Sequence, residues 1–192
     1  IREASHPLRT SLADVTDSPL VLWLPTYRRS VVGQIREDGR DYANVFQIPG
    51  ATPESVDAMA ARLGVHVVVK THPMAPQPTS ESFANLTLWT DDDLTREGLS
   101  LYQLMGHAEL LITDYSSVWI DWLLLDRPCI FAIADLSEYA QTRGTYFEPL
   151  EDYLPGPIVG TLAEIERCVA DAQGHDDYSD QRSEALTLHH QH

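Results

Sequence analysis

The stretch LLITDYSSVWIDWLLLDRPCIFAI, Leu110–Ile133, gathers groups able to do chemistry. An apolar run ends at Asp114, serines follow at 116 and 117, and a helical run begins at once. A helix start leaves main-chain N–H groups without partners and carries about half a positive charge. No Glu or Gln stands three residues beyond either serine, which excludes a capping box. Those amides and the Ser116 and Ser117 hydroxyls can receive a phosphate. Plain N-capping by Asp114 or Ser116 fits the same spacing. A carboxylate facing a phosphate would repel it, so Asp114 is expected to turn away, toward a main-chain amide or a neighbouring loop.

Other candidates stand at the ends of apolar runs. His72, in Lys70-Thr71-His72-Pro73, can donate to a phosphate oxygen or accept a proton near neutral pH; an ordinary surface histidine fits as well. Lys70 shares its strand face with His72, as a charge partner or as a solvated strand end. Thr26 and Arg28 follow the first apolar run, and arginine's planar fork matches phosphate, although paired loop arginines are also at home in solvent. Asp121 lies among Trp119, Ile120, Trp122 and Leu123. A lone buried carboxylate is costly, so Asp121 either faces water or is held by hydrogen bonds, with a ribose or Arg143 as possible donors. The tryptophans read as core. His189, His190 and His192 suit either metal binding or plain exposure. There is no GxGxxG, P-loop, CxxC or serine nucleophile elbow, which counts against dehydrogenase, NTPase and hydrolase chemistry.

These residues need a frame. Ser18–Pro25, Val65–Lys70, Asn85–Thr90, Glu109–Thr113 and the run PCIFAI read as short buried strands. Thr52–Gly64 reads as a helix with Thr52 as cap, Pro53 in the first turn and Gly64 as stop. Further helices are expected over Gly98–Ala108, Ser117–Leu125 and Thr161–Ala172, with SDQRSEALTLHHQH part of another. Residues 31–50 are polar without a clear period and read as a long loop. Apolar strands without polar alternation imply a parallel sheet covered on both faces. The expected class is α/β, doubly wound and Rossmann-like. In such sheets ligands bind beyond the carboxyl ends of the strands, which selects the loops carrying Thr26 and Arg28, His72, the two serines, and Arg143-Gly144.

Composition narrows the function classes. The 192 residues are 43% hydrophobic and 22% charged, enough for one globular core. No apolar run is long enough to span a bilayer, and IREASHPLRT lacks the core of a signal peptide. The net charge of −16 argues against nucleic acid, which wants a basic stripe, and against attraction to anionic lipid. A phosphorylated ligand must then be held by local groups. Cys129 and Cys168 lack metal-ligand spacing and read as reduced thiols of a cytosolic protein.

In order along the chain, VLWLPTYR, VVVKTHP, ELLITDYSSVWIDWLLLDRPCIFAIADLSEY, RGTYFEP and LPGPIV resemble the CDP-glycerol glycerophosphotransferase family, the teichoic acid primases and polymerases and related capsule enzymes. The match runs from about Ser18 to Ala172. It implies a GT-B architecture, of which this chain is similar to the C-terminal donor-nucleotide domain, residues 18–192. Residues 1–17 would be the approach from an N-terminal acceptor domain, and LHHQH a point of truncation. The family also uses a second histidine in that other domain, so this chain alone is expected to bind donor with little turnover. The resemblance implies that a polyol-phosphate hydroxyl attacks the β-phosphorus of CDP-glycerol, or a related CDP-polyol, and CMP leaves. His72 would contact the donor phosphate or act in acid–base work. Ser116 and Ser117 would hold the diphosphate, and Arg143 would neutralise charge or order its loop. Arg28, Thr26 and Asp121 complete the candidate binding set. No cofactor or metal is implied. The acceptor would be lipid-linked and the enzyme cytoplasmic, peripheral at the inner face of the membrane. The acidity departs from that picture, because work on polyanions calls for basic patches. A GT-B enzyme of UDP-sugars, or a non-catalytic nucleotide-binding module, stands as the alternative.

Overall fold

The computed structural model of the chain describes residues 18–26, 42–71, 83–136 and 153–190. Six strands form one sheet: β1 (Leu20–Leu24), β2 (His66–Lys70), β3 (Leu86–Trp89), β4 (Leu110–Thr113), β5 (Cys129–Ala132) and β6 (Ile158–Val159). They pair in the order β3-β2-β1-β4-β5-β6, every pair parallel. The helices are α1 (Pro53–Leu63), α2 (Asp91–Arg96), α3 (Leu101–His107), α4 (Val118–Trp122), α5 (Leu162–Ala172) and α6 (Ser179–His189). This is the doubly wound α/β class expected from the apolar runs.

The period of two along each strand builds two cores. Val21, Trp23, Val67, Val69, Leu110, Ile112, Ile130 and Ala132 face one side, covered by α1 through Val56 and Met59 and by α5 through Ile165 and Val169. Leu22, Leu24, Val68, Leu111, Cys129 and Phe131 face the other. There they meet Leu94 of α2, Leu104 and Met105 of α3, Trp119 and Trp122 of α4, and Ala185 of α6. The tryptophans are core, as expected. Arg182 of α6 is buried but ion-paired with Asp176 and, at 3.4 Å, with Asp126, which meets the condition for burying a charge.

Helix starts follow a common chemistry. Thr52 with Ser55, Thr90 with Asp93, Ser100 with Gln103 and Thr161 with Glu164 form reciprocal capping boxes on α1, α2, α3 and α5. Gly64 closes α1 in the left-handed region, at φ 64°.

The expectations need four corrections. Helix Ser117–Leu125 divides into α4 and a 3₁₀ turn, Leu123–Leu125, closed by Asp126 at φ 49°. Helix α2 was not anticipated, because Asp91-Asp92-Asp93 shows no apolar period and its cap alone marks it. Strand β6 is too short, at two residues, to show a pattern. Of the expected loop at residues 31–50, the described part is turns, yet Phe46 and Ile48 are 1% and 0% exposed and belong to the first core. Phe46 packs on Trp23 with ring centroids 5.2 Å apart.

Two consequences can be measured. A Cβ on Gly156 would lie 2.1 Å from the Cys129 carbonyl oxygen, so Gly156→Ala should destabilise the chain by about 1–3 kcal/mol through forced separation of β5 and β6, read as a lower urea midpoint. His66 is buried, with Nε2 2.8 Å from the Thr87 hydroxyl and Nδ1 without a partner. Burial pushes its pKa below the ordinary value, only partly offset by Asp57. The unfolded chain then binds the proton first, so stability is full above about pH 6.5 and falls as pH drops from there to the folded-state pKa. Urea midpoints at pH 7.5 and 5.5 should differ for the parent chain and differ less for His66→Gln.

Candidate functional site

The strand order reverses at β1, whose neighbours are β2 and β4. The crevice of such a sheet lies beyond the carboxyl ends of the two strands at the reversal. Two residues past β1 stands Thr26, and directly past β4 stands Asp114. The two meet. Asp114, 2% exposed, accepts on Oδ2 from the Thr26 N–H at 3.0 Å and from the Thr26 hydroxyl at 2.7 Å. One step deeper, the Thr113 hydroxyl donates to the Leu24 carbonyl at 3.0 Å. The expectation that Asp114 turns toward a neighbouring loop is met.

The same carboxylate corrects the picture of an uncapped corner. Its Oδ1 accepts from the Ser116 N–H at 3.3 Å, the two-residue reach by which aspartate closes a turn on its own backbone. The Ser116 hydroxyl in turn accepts from the Val118 N–H at 3.4 Å. Ser117 begins α4 with no side-chain cap. It is exposed, so its N–H and hydroxyl are available to a ligand. With only five residues in α4, the helix dipole is weaker than a nine-residue helix would supply, and the corner depends on discrete donors.

The neighbouring strand ends are arranged differently. After β5, Asp135 is also 2% exposed and accepts from the Tyr115 hydroxyl at 3.1 Å. After β6, Glu164 takes the N–H groups of Gly160 and Thr161, both at 3.0 Å. The Gly160 amide, then the Thr161 hydroxyl, hold the Glu164 carboxyl below its usual range. The start of α5 is thus closed by a capping box, whereas at the start of α4 Asp114 and Ser116 take the Ser116 and Val118 N–H groups and the Ser117 side chain makes no cap bond. At the end of β2, Lys70 pairs with Asp91 at 2.5 Å, and its side chain is 12% exposed. Lys70 is therefore not a solvated strand end but is engaged by Asp91. Thr71 donates to the Trp89 carbonyl at 3.1 Å.

Asp121 accepts from the Tyr102 hydroxyl at 3.0 Å, and that bond raises the Tyr102 pKa. It is held by a hydrogen bond, as its surroundings required, but the donor comes from α3. His189 meets Trp119 edge-on at 5.2 Å, and His190 Nε2 lies 2.9 Å from the Ile120 carbonyl. These two histidines dock α6 onto α4 rather than standing free. His72, Arg28, Arg143 and His192 lie outside the described residues. Among the described residues, no three His, Cys, Asp or Glu side chains gather as metal ligands, and no helix is long and apolar enough to cross a membrane.

The described loops at the strand carboxyl ends, residues 25–26, 71, 114–117, 133–136 and 160–161, carry the carboxylates of Asp114 and Asp135 and no basic side chain. A cavity of about 270 Å³ lies at the opposite edge of the sheet, beside Pro128, Cys129, Pro157, Cys168 and Arg182. Tyr115 and Asp135 escaped the sequence reading. The signal that could have found Asp135 is its place just past a buried strand, the same place that Asp114 holds.

Known proteins are similar to this chain in sequence and fold. The family model described as CDP-glycerol:poly(glycerophosphate) glycerophosphotransferase matches residues 2–191. A teichoic acid ribitol-phosphate primase of Bacillus spizizenii is 39% identical over 95 residues, 50% of this chain and 23% of its own length. The teichoic acid ribitol-phosphate polymerase TarL of Staphylococcus aureus is 28% identical over 180 residues, 94% of this chain and 29% of its own. This chain therefore spans between a fifth and a third of those two relatives. A structure of the wall teichoic acid polymerase TagF superimposes with a TM-score of 0.62 at 21% identity, covering 96% of this chain and 41% of TagF. A UDP-N-acetylglucosamine 2-epimerase from Listeria monocytogenes gives 0.55 at 15% identity, covering 98% and 45%. The fold is thus that of the Rossmann-like half of GT-B proteins. Matched along nearly its whole length, the chain belongs to the CDP-glycerol:poly(glycerophosphate) glycerophosphotransferase family.

Proposed function

We propose that the chain is the donor-binding half of a CDP-glycerol, or related CDP-polyol, phosphotransferase of teichoic acid or capsule-like polymer synthesis. The observation that carries this reading is the family match over residues 2–191. Its support in the geometry is the corner beyond β4, where Ser117 offers an unengaged N–H and hydroxyl at the reversal of strand order.

In this reading the diphosphate of the donor lies across the crevice, against Ser117 and Ser116, with Thr26 at its wall. An acceptor hydroxyl oxygen attacks the β-phosphorus, the phosphoanhydride bond breaks, and CMP leaves with the bonding electrons. His72 contacts the phosphate or handles the proton of the attacking hydroxyl. The acid at the described strand ends makes a local cation necessary, and Arg143 and Arg28 are the candidates to supply it. Asp121, held by Tyr102, is the remaining candidate for a ribose contact. Such a reaction runs on alignment and on fixed charges facing the phosphoryl oxygens. The acceptor is a lipid-linked polyol phosphate seated outside this sheet, and the whole enzyme works at the cytoplasmic face of the membrane. The second reading, a UDP-sugar enzyme, rests on the shared fold of the epimerase alone.

Titration of the chain with CDP-glycerol, CDP-ribitol, CMP and UDP-N-acetylglucosamine should give binding to the cytidine compounds; a preference for uridine would replace the first reading by the second. Ser117→Ala should weaken CDP-glycerol binding about two- to tenfold, the range for one hydrogen bond, as measured by calorimetry. In the whole enzyme, His72→Ala should cut turnover by about two orders of magnitude or more if it moves the proton, and unchanged turnover would remove it from the mechanism.

A further inference from the structure

We propose that Asp114 and Tyr115 are positioning residues, which set the serine corner against the two strand ends beside it. This rests on the corner being the seat of the donor's diphosphate. The two residues immediately precede the serines, and their side chains go to opposite neighbours. Asp114 reaches Thr26 beyond β1, and Tyr115 reaches Asp135 beyond β5. The corner is thereby tied from both sides, through two carboxylates that are each 2% exposed.

The chemistry of the first tie requires a carboxylate. Asp114 accepts on Oδ2 twice from Thr26 and on Oδ1 from Ser116. An ionised carboxylate is acceptor-only and has lone pairs for all of them, whereas asparagine would set an N–H₂ against one of these donors. These bonds offset the desolvation of a buried charge and turn that charge away from the ligand. They also fix the gap between the loop after β1 and the corner, and with it the direction of the Ser117 N–H. Asp114 and Tyr115 need not touch the ligand; they act through Ser117.

The test uses changes that remove one hydroxyl and keep the shape: Thr26→Val and Tyr115→Phe. Calorimetry gives dissociation constants for CDP-glycerol and for CMP, and a thermal melt checks the fold. Each variant should raise the CDP-glycerol constant about three- to tenfold, as for one lost bond, and lower the preference for CDP-glycerol over CMP. Thr26→Ser, which keeps both donors, should restore what Thr26→Val loses. Asp114→Asn should weaken binding further than either. A purely structural tie would lower the melting temperature and leave the CDP-glycerol to CMP ratio unchanged, which would overturn the proposal. So would folded Thr26→Val and Tyr115→Phe chains that bind CDP-glycerol like the parent. If the parent binds neither nucleotide, the diphosphate seat itself is wrong and the proposal falls with it, a result distinct from equal binding by the variants.

Discussion

A sheet whose strands all run the same way must return every connection across one of its faces, and this constraint organises the molecule. Each return needs a helix or a long crossover, and each helix must bury one side. The strands are therefore apolar on both faces, as Val67-Val68-Val69 and Leu110-Leu111-Ile112 illustrate. The same constraint brings the chain out of every strand at one edge. Residues far apart in sequence, such as Thr26 and Asp114, become neighbours there because β1 and β4 pair in parallel and end level, Leu24 opposite Thr113.

At that edge the balance of charge is acidic, which bears on the diphosphate seat proposed above. The chain carries a net charge of −16, and the described strand ends add the buried carboxylates of Asp114 and Asp135 beside a Lys70 already paired with Asp91. Those two buried acids are each 2% exposed. Asp114 and Asp135 are engaged by threonine, serine and tyrosine donors, so their charge is spread into the protein. Glu164 does the same for the start of α5. Four of the helix starts, those of α1, α2, α3 and α5, are closed by reciprocal capping boxes, whereas the caps of α4 and α6 accept no such bond.

How much of this could be read from the sequence follows from the range of the interactions. Strands and longer helices were readable because burial writes a period into adjacent residues, and the Thr52 cap and Gly64 stop are local chemistry. Helix α2 has a cap but no apolar period, and β6 has no room for one. Phe46 and Ile48 sit in a polar stretch, and their burial follows from the first core, where Phe46 packs on Trp23. The turning of Asp114 could be argued from electrostatics alone. Its partner could not, since Thr26 lies 88 positions away, and neither could the Tyr115–Asp135 bond. The short α4 was missed because Leu123-Leu124-Leu125 continues the apolar signal while the backbone tightens to a 3₁₀ turn.

The edge-on contact between Trp119 and His189 gives the molecule an optical handle. Trp119 sits two residues beyond Ser117 and under the end of α6. Seating of the last helix thus sets the surroundings of Trp119, one of four tryptophans whose emission the chain shows without any label.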